Sequence, residues 1–173
     1  NVAITKRVVE YAHARGVSVE AELGHVGKAE TAEGEQADVT HLTEPEDVKR
    51  FVELTNVDAL AVSIGTAHGI YTSLPRLDIP RLKKIKSITS VPLVLHGGSN
   101  TPDDQVKEAI ANGITKLNIF SELCVAMVEG LQEFLATNKK KAPWPIEIFE
   151  KPMTKMREVV RRKIHLCGSS RKI

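Results

Sequence analysis

The chain has 173 residues, of which 24 are basic and 22 acidic, and its formal charge is +2. Hydrophobic residues make up 42% and charged residues 27%, which is ordinary for a globular domain with a buried core. The balanced charge and the low aromatic content of 4% argue against nucleic acid or a membrane surface as a partner.

Membrane and secretory signals are not evident in these residues. No apolar run approaches the roughly 20 residues of a membrane span, and no secretory signal pattern occurs. The two cysteines, Cys124 and Cys167, are isolated and lack metal-site spacing. This cysteine usage predicts a protein of the reducing cytoplasm rather than one held together by disulfide bonds.

Helical stripes and short apolar runs alternate along the chain. The pattern predicts helices over residues 1–15, 43–54, 78–87, 101–112, 121–138 and 152–166. Apolar runs at 17–23, 58–64, 91–95 and 114–119 predict strands that are buried on both faces. Between them, residues 24–40 lack any periodicity and predict a long mobile loop of the kind that forms a lid.

Strand and helix alternating at this spacing predict a parallel α/β fold. About four βα units are present, which is roughly half of a TIM (β/α)8 barrel. An open doubly wound sheet is the alternative, but the phosphate-binding G-x-G-x-x-G turn is absent. We therefore expect residues 1–173 to supply about the second half of a barrel.

Polar side chains occur where the four predicted strands end. Glu22, His68, His96 and Asn118 supply a carboxylate, two imidazoles and an amide. Because the carboxyl ends of parallel strands meet at one rim, these groups can converge there. Two imidazoles and a carboxylate suit zinc or a similar divalent ion, although one further ligand is missing. The turn 97–99 can present backbone N–H groups to an anion.

Four motifs together resemble the class II, metal-dependent fructose- or tagatose-bisphosphate aldolases. They are V-E-A-E-L-G at 19–24, G-T-A-H-G-I-Y at 65–71, V-P-L-V-L-H-G-G-S at 91–99 and K-L-N-I at 116–119. The resemblance runs in order from about Asn1 to Gly168. Among the subgroups, the chain is most similar to tagatose-bisphosphate aldolases and relatives of unsettled substrate.

The resemblance implies a set of functional residues. His68 and His96 would be zinc ligands, with Glu22 beside the metal, and Glu30 in the acidic loop would move a proton at the nucleophilic carbon, with Glu33 as the alternative. The implied cofactor is one catalytic zinc ion, and an additional monovalent cation is left open. The residues implied to bind dihydroxyacetone phosphate are Gly69, Gly97, Gly98, Ser99, Asn118, Ile119, Phe120 and Ser121.

The implied reaction is the reversible cleavage of a ketose 1,6-bisphosphate to dihydroxyacetone phosphate and an aldehyde. The implied partners are a phosphorylated sugar and further copies of the chain, as a homodimer or homotetramer.

One departure from the family keeps other functions open. The family's remaining zinc histidine sits in an Asp-His motif, and no Asp-His pair occurs in these residues. The chain as given would then be a catalytically incomplete half-barrel, such as a truncated or accessory subunit, and we expect it to be inactive by itself. A metal-free barrel isomerase that binds a sugar phosphate is a third reading, which gives no reason for both His68 and His96.

Overall fold

Four parallel strands form one sheet, and they lie side by side in their order along the chain. The computed structural model describes residues 1–28, 40–69 and 74–172. The strands are β1 (Glu20–Leu23), β2 (Ala59–Val62), β3 (Leu93–Leu95) and β4 (Ile114–Leu117). The order never reverses, as it would at the switch point of a doubly wound sheet. All four predicted strands are confirmed, although each is shorter than its apolar run.

Six helices accompany the strands in the part of the chain that the structure describes. Four belong to a first compact unit, Asn1–Asn118, and two to a second, Ile119–Ile173. The helices of the first unit are α1 (Val2–His13), α2 (Pro45–Thr55), α3 (Ile79–Ile88) and α4 (Asp103–Ala111). Those of the second unit are α5 (Ser121–Thr137) and α6 (Pro145–Leu166). No described helix combines the length and the apolar character needed to cross a bilayer.

The core of the first unit lies between its helices and one face of the sheet. Alternate strand residues such as Leu60, Val62, Leu93 and Leu95 are fully buried in one apolar cluster. The same cluster takes in helix residues Val9, Val48, Phe51, Leu82, Ile85 and Ala109. Because successive strand residues point to opposite faces, the other face of the sheet is left for polar groups.

The start of α2 differs from the sequence pattern. The segment T-E-P-E at 43–46 reads as a capping box with Thr43 as the cap, but the N-cap residue is Glu44 and no side chain caps the helix. Thr43 is fully buried instead. Its hydroxyl donates to the Leu23 carbonyl at 2.5 Å and accepts from the Ser63 N–H at 2.8 Å. Thr43 therefore joins the ends of β1 and β2 instead of capping α2.

Asp78 caps α3 and gives a testable contribution to stability. Its carboxylate accepts from the Arg81 N–H at 2.9 Å and from Arg81 Nε at 3.0 Å. The backbone bond first, and then the guanidinium, lower the pKa of Asp78 despite partial burial. Because the folded-state pKa is depressed, this stabilisation is present above the unfolded value of about 3.9 and is lost as the pH falls through the folded-state value.

We expect Asp78→Ala to lower the free energy of unfolding by about 1 kcal/mol at pH 7. Asp78→Asn keeps a side-chain acceptor and should lose less. Urea unfolding of the full-length variants at pH 7 and pH 3 measures both effects, and the difference between wild type and Asp78→Asn should shrink at pH 3. A difference that grows on acidification would contradict this assignment.

In the second unit, α6 begins earlier than the sequence predicts. The expected start near Pro152 is wrong, because the helix starts at Pro145. A proline is tolerated there, since an N–H in the first turn of a helix has no partner within the helix. Glu147 accepts from the Trp144 N–H at 2.8 Å and so closes the first turn. Pro152 lies inside the helix and faces α5, where a Cβ on Gly130 would lie 2.5 Å from the Pro152 nitrogen. Gly130 therefore permits the close contact between the two helices.

Candidate functional site

The face of the sheet opposite the apolar core carries the charged residues of β1. Glu20 and Glu22 are in register with Ala59 and Ala61 of β2, so the four residues share that face. Small residues on β2 leave room above it. The carboxylates of β1 therefore reach across β2 to residues that follow β3, and one of them also reaches β4.

An irregularity between β3 and β4 adds a lysine to this polar face. Leu93 pairs with Ile114, but Val94 pairs with Lys116, so Thr115 is an extra residue in the ladder. A bulge of this kind changes the side on which the following residues emerge. Since Val94 is in register with Ala61, Lys116 lies on the same face as the two glutamates.

His96 lies between the two carboxylates. Its Nδ1 is 2.7 Å from Glu22 Oε2, and its Nε2 is 3.1 Å from Glu20 Oε1. Its side chain is 18% exposed. The hydrogen bond to Glu22 raises the pKa of His96 against the opposing effect of burial, and the bond to Glu20 adds to the increase. The bond from His96 in turn lowers the pKa of Glu22.

Lys116 holds the far side of Glu20. Its Nζ lies 2.9 Å from Glu20 Oε2, while the other oxygen of that carboxylate faces His96. Partial burial raises the pKa of Glu20, but the hydrogen bonds from Lys116 and His96 outweigh it and the net shift is downward. The result is a continuous hydrogen-bond network from Lys116 through Glu20 and His96 to Glu22.

His68 lies beside the Glu22 end of this hydrogen-bond network. Its Nδ1 is 3.2 Å from the Val26 carbonyl oxygen, and the Val26 N–H donates to Glu22 Oε1 at 3.4 Å. The His68 backbone N–H donates to the Gly27 carbonyl at 2.7 Å, which fixes the segment after β2 against the segment after β1. The ring centroids of His68 and His96 are 6.1 Å apart. The structure thus brings together the three residues predicted as metal ligands.

The histidine hydrogen bond also determines which nitrogen of His68 is available. A carbonyl oxygen only accepts, so Nδ1 of His68 carries the proton that faces Val26. In the neutral ring Nε2 then has its lone pair, which is the state that a metal ligand needs. Backbone carbonyls commonly orient metal-binding imidazoles in this way.

The turn after β3 is tied to both neighbouring strands. Thr66 Oγ1 donates to the His96 carbonyl at 2.7 Å, and the Gly98 N–H donates to the Asn118 carbonyl at 3.0 Å. Gly97 has a φ of 68°, in the left-handed region, and Ser99 is buried. The assignment of Gly97, Gly98, Ser99 and Asn118 to a phosphate stays a prediction.

The other predicted substrate residues fall in different parts of the chain. Gly69 follows His68 directly and has a φ of 108°. Ile119, Phe120 and Ser121 open the second unit, in which Phe120 is the N-cap residue of α5. Glu30 and its alternative Glu33 lie outside the residues that the structure describes, as does most of the predicted lid, and their roles stay predictions.

The donor set fits zinc in its chemistry, because two imidazoles and a carboxylate are common ligands of that ion. Two imidazoles bound tetrahedrally to one zinc ion would have centroids about 5 Å apart, so the separation of the two rings is wider than a shared ion requires by roughly 1 Å. Within residues 1–28, 40–69 and 74–172, no group of three His, Cys, Asp or Glu side chains is arranged to hold a metal. His68, His96 and Glu22 are therefore suitable ligands in type that would still have to close around an ion.

Two residues of this site had no role in the sequence analysis. Glu20 precedes Glu22 by two positions, and that spacing alone indicates that both side chains share one strand face. Lys116 gave a weaker signal, a charged residue in an otherwise apolar strand. Its place depends on the bulge beside Val94, which no sequence pattern predicts.

The comparisons with known proteins agree with these observations. A family model described as fructose-bisphosphate aldolase class-II matches residues 1–172. The YdjI aldolase from Escherichia coli K12 is 37% identical, with a TM-score of 0.82 over 99% of this chain and 57% of its own. A putative fructose-1,6-biphosphate aldolase from Coccidioides immitis is 28% identical, with a TM-score of 0.85 over 99% of this chain and 59% of its own.

A fructose-bisphosphate aldolase from Campylobacter jejuni shares the fold at 20% identity, with a TM-score of 0.73 over 97% of this chain and 56% of its own. The chain thus spans less than two thirds of the length of each of these proteins. Together with the consecutive parallel strands, this coverage shows that the chain forms part of a TIM barrel. The match over nearly the whole chain settles the family: the protein belongs to the class II fructose-bisphosphate aldolases.

Proposed function

We propose that the full-length protein is a zinc-dependent aldolase that reversibly cleaves a ketose 1,6-bisphosphate of the tagatose or fructose type. The products would be dihydroxyacetone phosphate and an aldehyde. The observation that carries the proposal is the meeting of His68, His96 and Glu22 at one edge of the sheet, in a chain that belongs to this family.

The polar face of the sheet offers suitable groups for this reaction. His68, His96 and Glu22 would hold the zinc ion, which as a Lewis acid stabilises the negative charge that develops when the carbon–carbon bond breaks. Glu22 accepts from the Val26 N–H, and His68 Nδ1 contacts the Val26 carbonyl. These two backbone contacts orient both side chains before any ligand arrives.

Substrate binding and proton transfer are assigned to neighbouring segments. The turn at Gly97, Gly98 and Ser99 lies directly after the ligand His96, so a phosphate held there would place the adjacent carbonyl of the substrate near the metal ligands. Asn118 would complete this side, followed in the chain by Ile119, Phe120 and Ser121. Glu30 would move the proton at the nucleophilic carbon.

An incomplete half-barrel is the second candidate function, and a specific observation favours it for the isolated chain. β1 and β4 each pair with only one strand, so both edges of the described sheet are open. Open edges need a partner, which the remaining barrel strands would supply. We therefore propose that residues 1–173 alone are inactive. Self-association and a cytoplasmic location stay predictions.

The proposed activity is tested by removing and restoring the metal. We expect a chelator to abolish the release of dihydroxyacetone phosphate from fructose or tagatose 1,6-bisphosphate by the full-length protein, and stoichiometric zinc to restore it. The 173-residue chain assayed in parallel with zinc should release none. Cleavage that persists in the chelator-treated protein with no bound metal would rule the proposal out, and full activity of the short chain would rule out the half-barrel reading.

A further inference from the structure

A buried hydroxyl lies between two strand ends that lead to proposed metal ligands. Thr43 is fully buried, and its Oγ1 donates to the Leu23 carbonyl at 2.5 Å and accepts from the Ser63 N–H at 2.8 Å. Leu23 is the last residue of β1, directly after Glu22, and Ser63 follows β2 in the segment that leads to His68. One side chain from elsewhere in the chain therefore links both ends.

The Thr43 hydroxyl takes a place in the ladder between β1 and β2 where a backbone bond would be expected. At the start of this ladder, the Ala59 N–H donates to the Val19 carbonyl at 3.3 Å. In a parallel pair such bonds recur with the same offset along both strands, which brings the Ser63 N–H opposite the Leu23 carbonyl. There the hydroxyl stands between donor and acceptor and bonds to both. The spacing of these strand ends therefore depends on a side chain.

The backbone of Thr43 is fixed independently of its hydroxyl. Its N–H donates to the Ser63 carbonyl at 2.9 Å, and its carbonyl accepts from Arg81 Nη1 at 2.8 Å. Gly24 permits the close approach, because a Cβ there would lie 2.7 Å from Thr43 Oγ1. The substitution Thr43→Val would therefore keep both backbone bonds and place a methyl group where the hydroxyl was.

Beyond the hydroxyl, the two segments stay bonded to each other up to the proposed ligands. Ser63 Oγ donates to the His25 carbonyl at 3.1 Å. The backbone of residues 26–27 then contacts Glu22 Oε1 at 3.4 Å and the His68 N–H at 2.7 Å. A change in the spacing of the strand ends would therefore move Glu22 and His68 relative to each other.

From this geometry we infer that Thr43 is a positioning residue of the proposed metal site. Its hydroxyl sets the spacing between the strand end that carries Glu22 and the segment that carries His68. The inference rests on the proposed function, and it assigns a role in metal binding to a residue that is not itself a ligand.

Zinc affinity gives the first test. We expect Thr43→Val in the full-length protein to weaken zinc binding about 10-fold in a competition titration with a chromophoric chelator, the lower end of the range for residues that support metal ligands. The new methyl group would bond to neither strand end, so the Leu23 carbonyl and the Ser63 N–H would lose their shared partner. Thr43→Ser keeps the hydroxyl and should bind zinc as the wild type does. Unchanged affinity in Thr43→Val, or an equal loss in Thr43→Ser, would overturn the inference.

Thr55→Val is the matched control. Thr55 is 1% exposed, and its hydroxyl donates to the Phe51 carbonyl at 2.7 Å within α2. The substitution removes a buried hydroxyl of the same kind from a residue that joins no strands, so zinc affinity should stay as in the wild type. An equal loss in Thr55→Val and Thr43→Val would show that the effect is not specific to the strand ends, which would also overturn the inference.

Amide hydrogen exchange gives a second test that needs no metal. In the metal-free full-length protein we expect Thr43→Val to speed exchange of the Ser63 N–H and Thr43→Ser to leave it as in the wild type. The Leu60 N–H, which donates to the Pro92 carbonyl at 2.9 Å, is the internal control within β2 and should not change. Exchange at Ser63 that Thr43→Val leaves unaltered would contradict the role of the hydroxyl.

Failure of this inference and failure of the proposed function would look different. If the wild-type protein bound no zinc, the proposed function would fail, and exchange at Ser63 would still decide whether the hydroxyl holds the strand ends. If zinc bound equally well to the wild type and to Thr43→Val, the proposed function would stand and the inference would fail.

Discussion

His96→Ala is expected to lower kcat/KM for ketose bisphosphate cleavage at least about 10³-fold, because it removes an imidazole from the proposed metal site. That factor corresponds to a loss of about 4 kcal/mol in transition-state stabilisation. The structure gives the reason: His96 contacts both Glu20 and Glu22. Its loss would also leave two carboxylates facing an empty space.

Zinc content and steady-state kinetics of the full-length protein measure this effect together. His13→Ala is the control, since it removes a histidine that pairs with Asp58 away from the polar face. The control should keep its zinc and its kcat/KM. An His96→Ala enzyme with bound zinc and undiminished turnover would show that the site has been misassigned.

Gly97→Ala is expected to destabilise the protein by about 3 kcal/mol, because two separate costs combine. A φ of 68° is unfavourable for alanine, and a Cβ at this position would lie 2.5 Å from the Ala67 carbonyl oxygen. That oxygen belongs to the backbone and cannot move aside by a simple rotation. Relief of the clash would have to shift the segment that carries His68.

Gly16→Ala separates the two costs. Gly16 has nearly the same φ, 67°, but a Cβ there would meet no atom within 4 Å. We expect it to lower the free energy of unfolding by about 1 kcal/mol, the conformational cost alone. Urea unfolding of both full-length variants gives the comparison. Equal losses would mean that the turn at Gly97 has more room than the structure shows.

The fold could be predicted from sequence because its signals are local. Buried strands with β-branched residues and helices with an apolar stripe gave the order of all described elements in both units. Boundaries failed where a tertiary contact was stronger than the local pattern. Thr43 has the sequence of a helix cap, yet its hydroxyl joins the ends of β1 and β2. Pro152 reads as a helix start, yet it lies within α6 against Gly130.

The candidate site was predictable only in part, for a related reason. His68, His96 and Glu22 occur at strand ends within distinctive motifs, so sequence alone brought them to one rim. Lys116 joins them because the ladder between β3 and β4 has an extra residue, which is a property of the paired strands. The contacts of Glu20 and Glu22 with His96 likewise depend on the small side chains of Ala59 and Ala61, the β2 residues that the glutamates cross.

His68 and His96 are proposed to share one zinc ion in the full-length protein. Zinc K-edge X-ray absorption of protein loaded with one equivalent of zinc tests this proposal most directly. We predict a first shell that includes two imidazole nitrogens at about 2.0–2.1 Å, one of which is lost in His68→Ala and one in His96→Ala. A zinc spectrum that neither substitution changes would show that the two histidines do not share the ion.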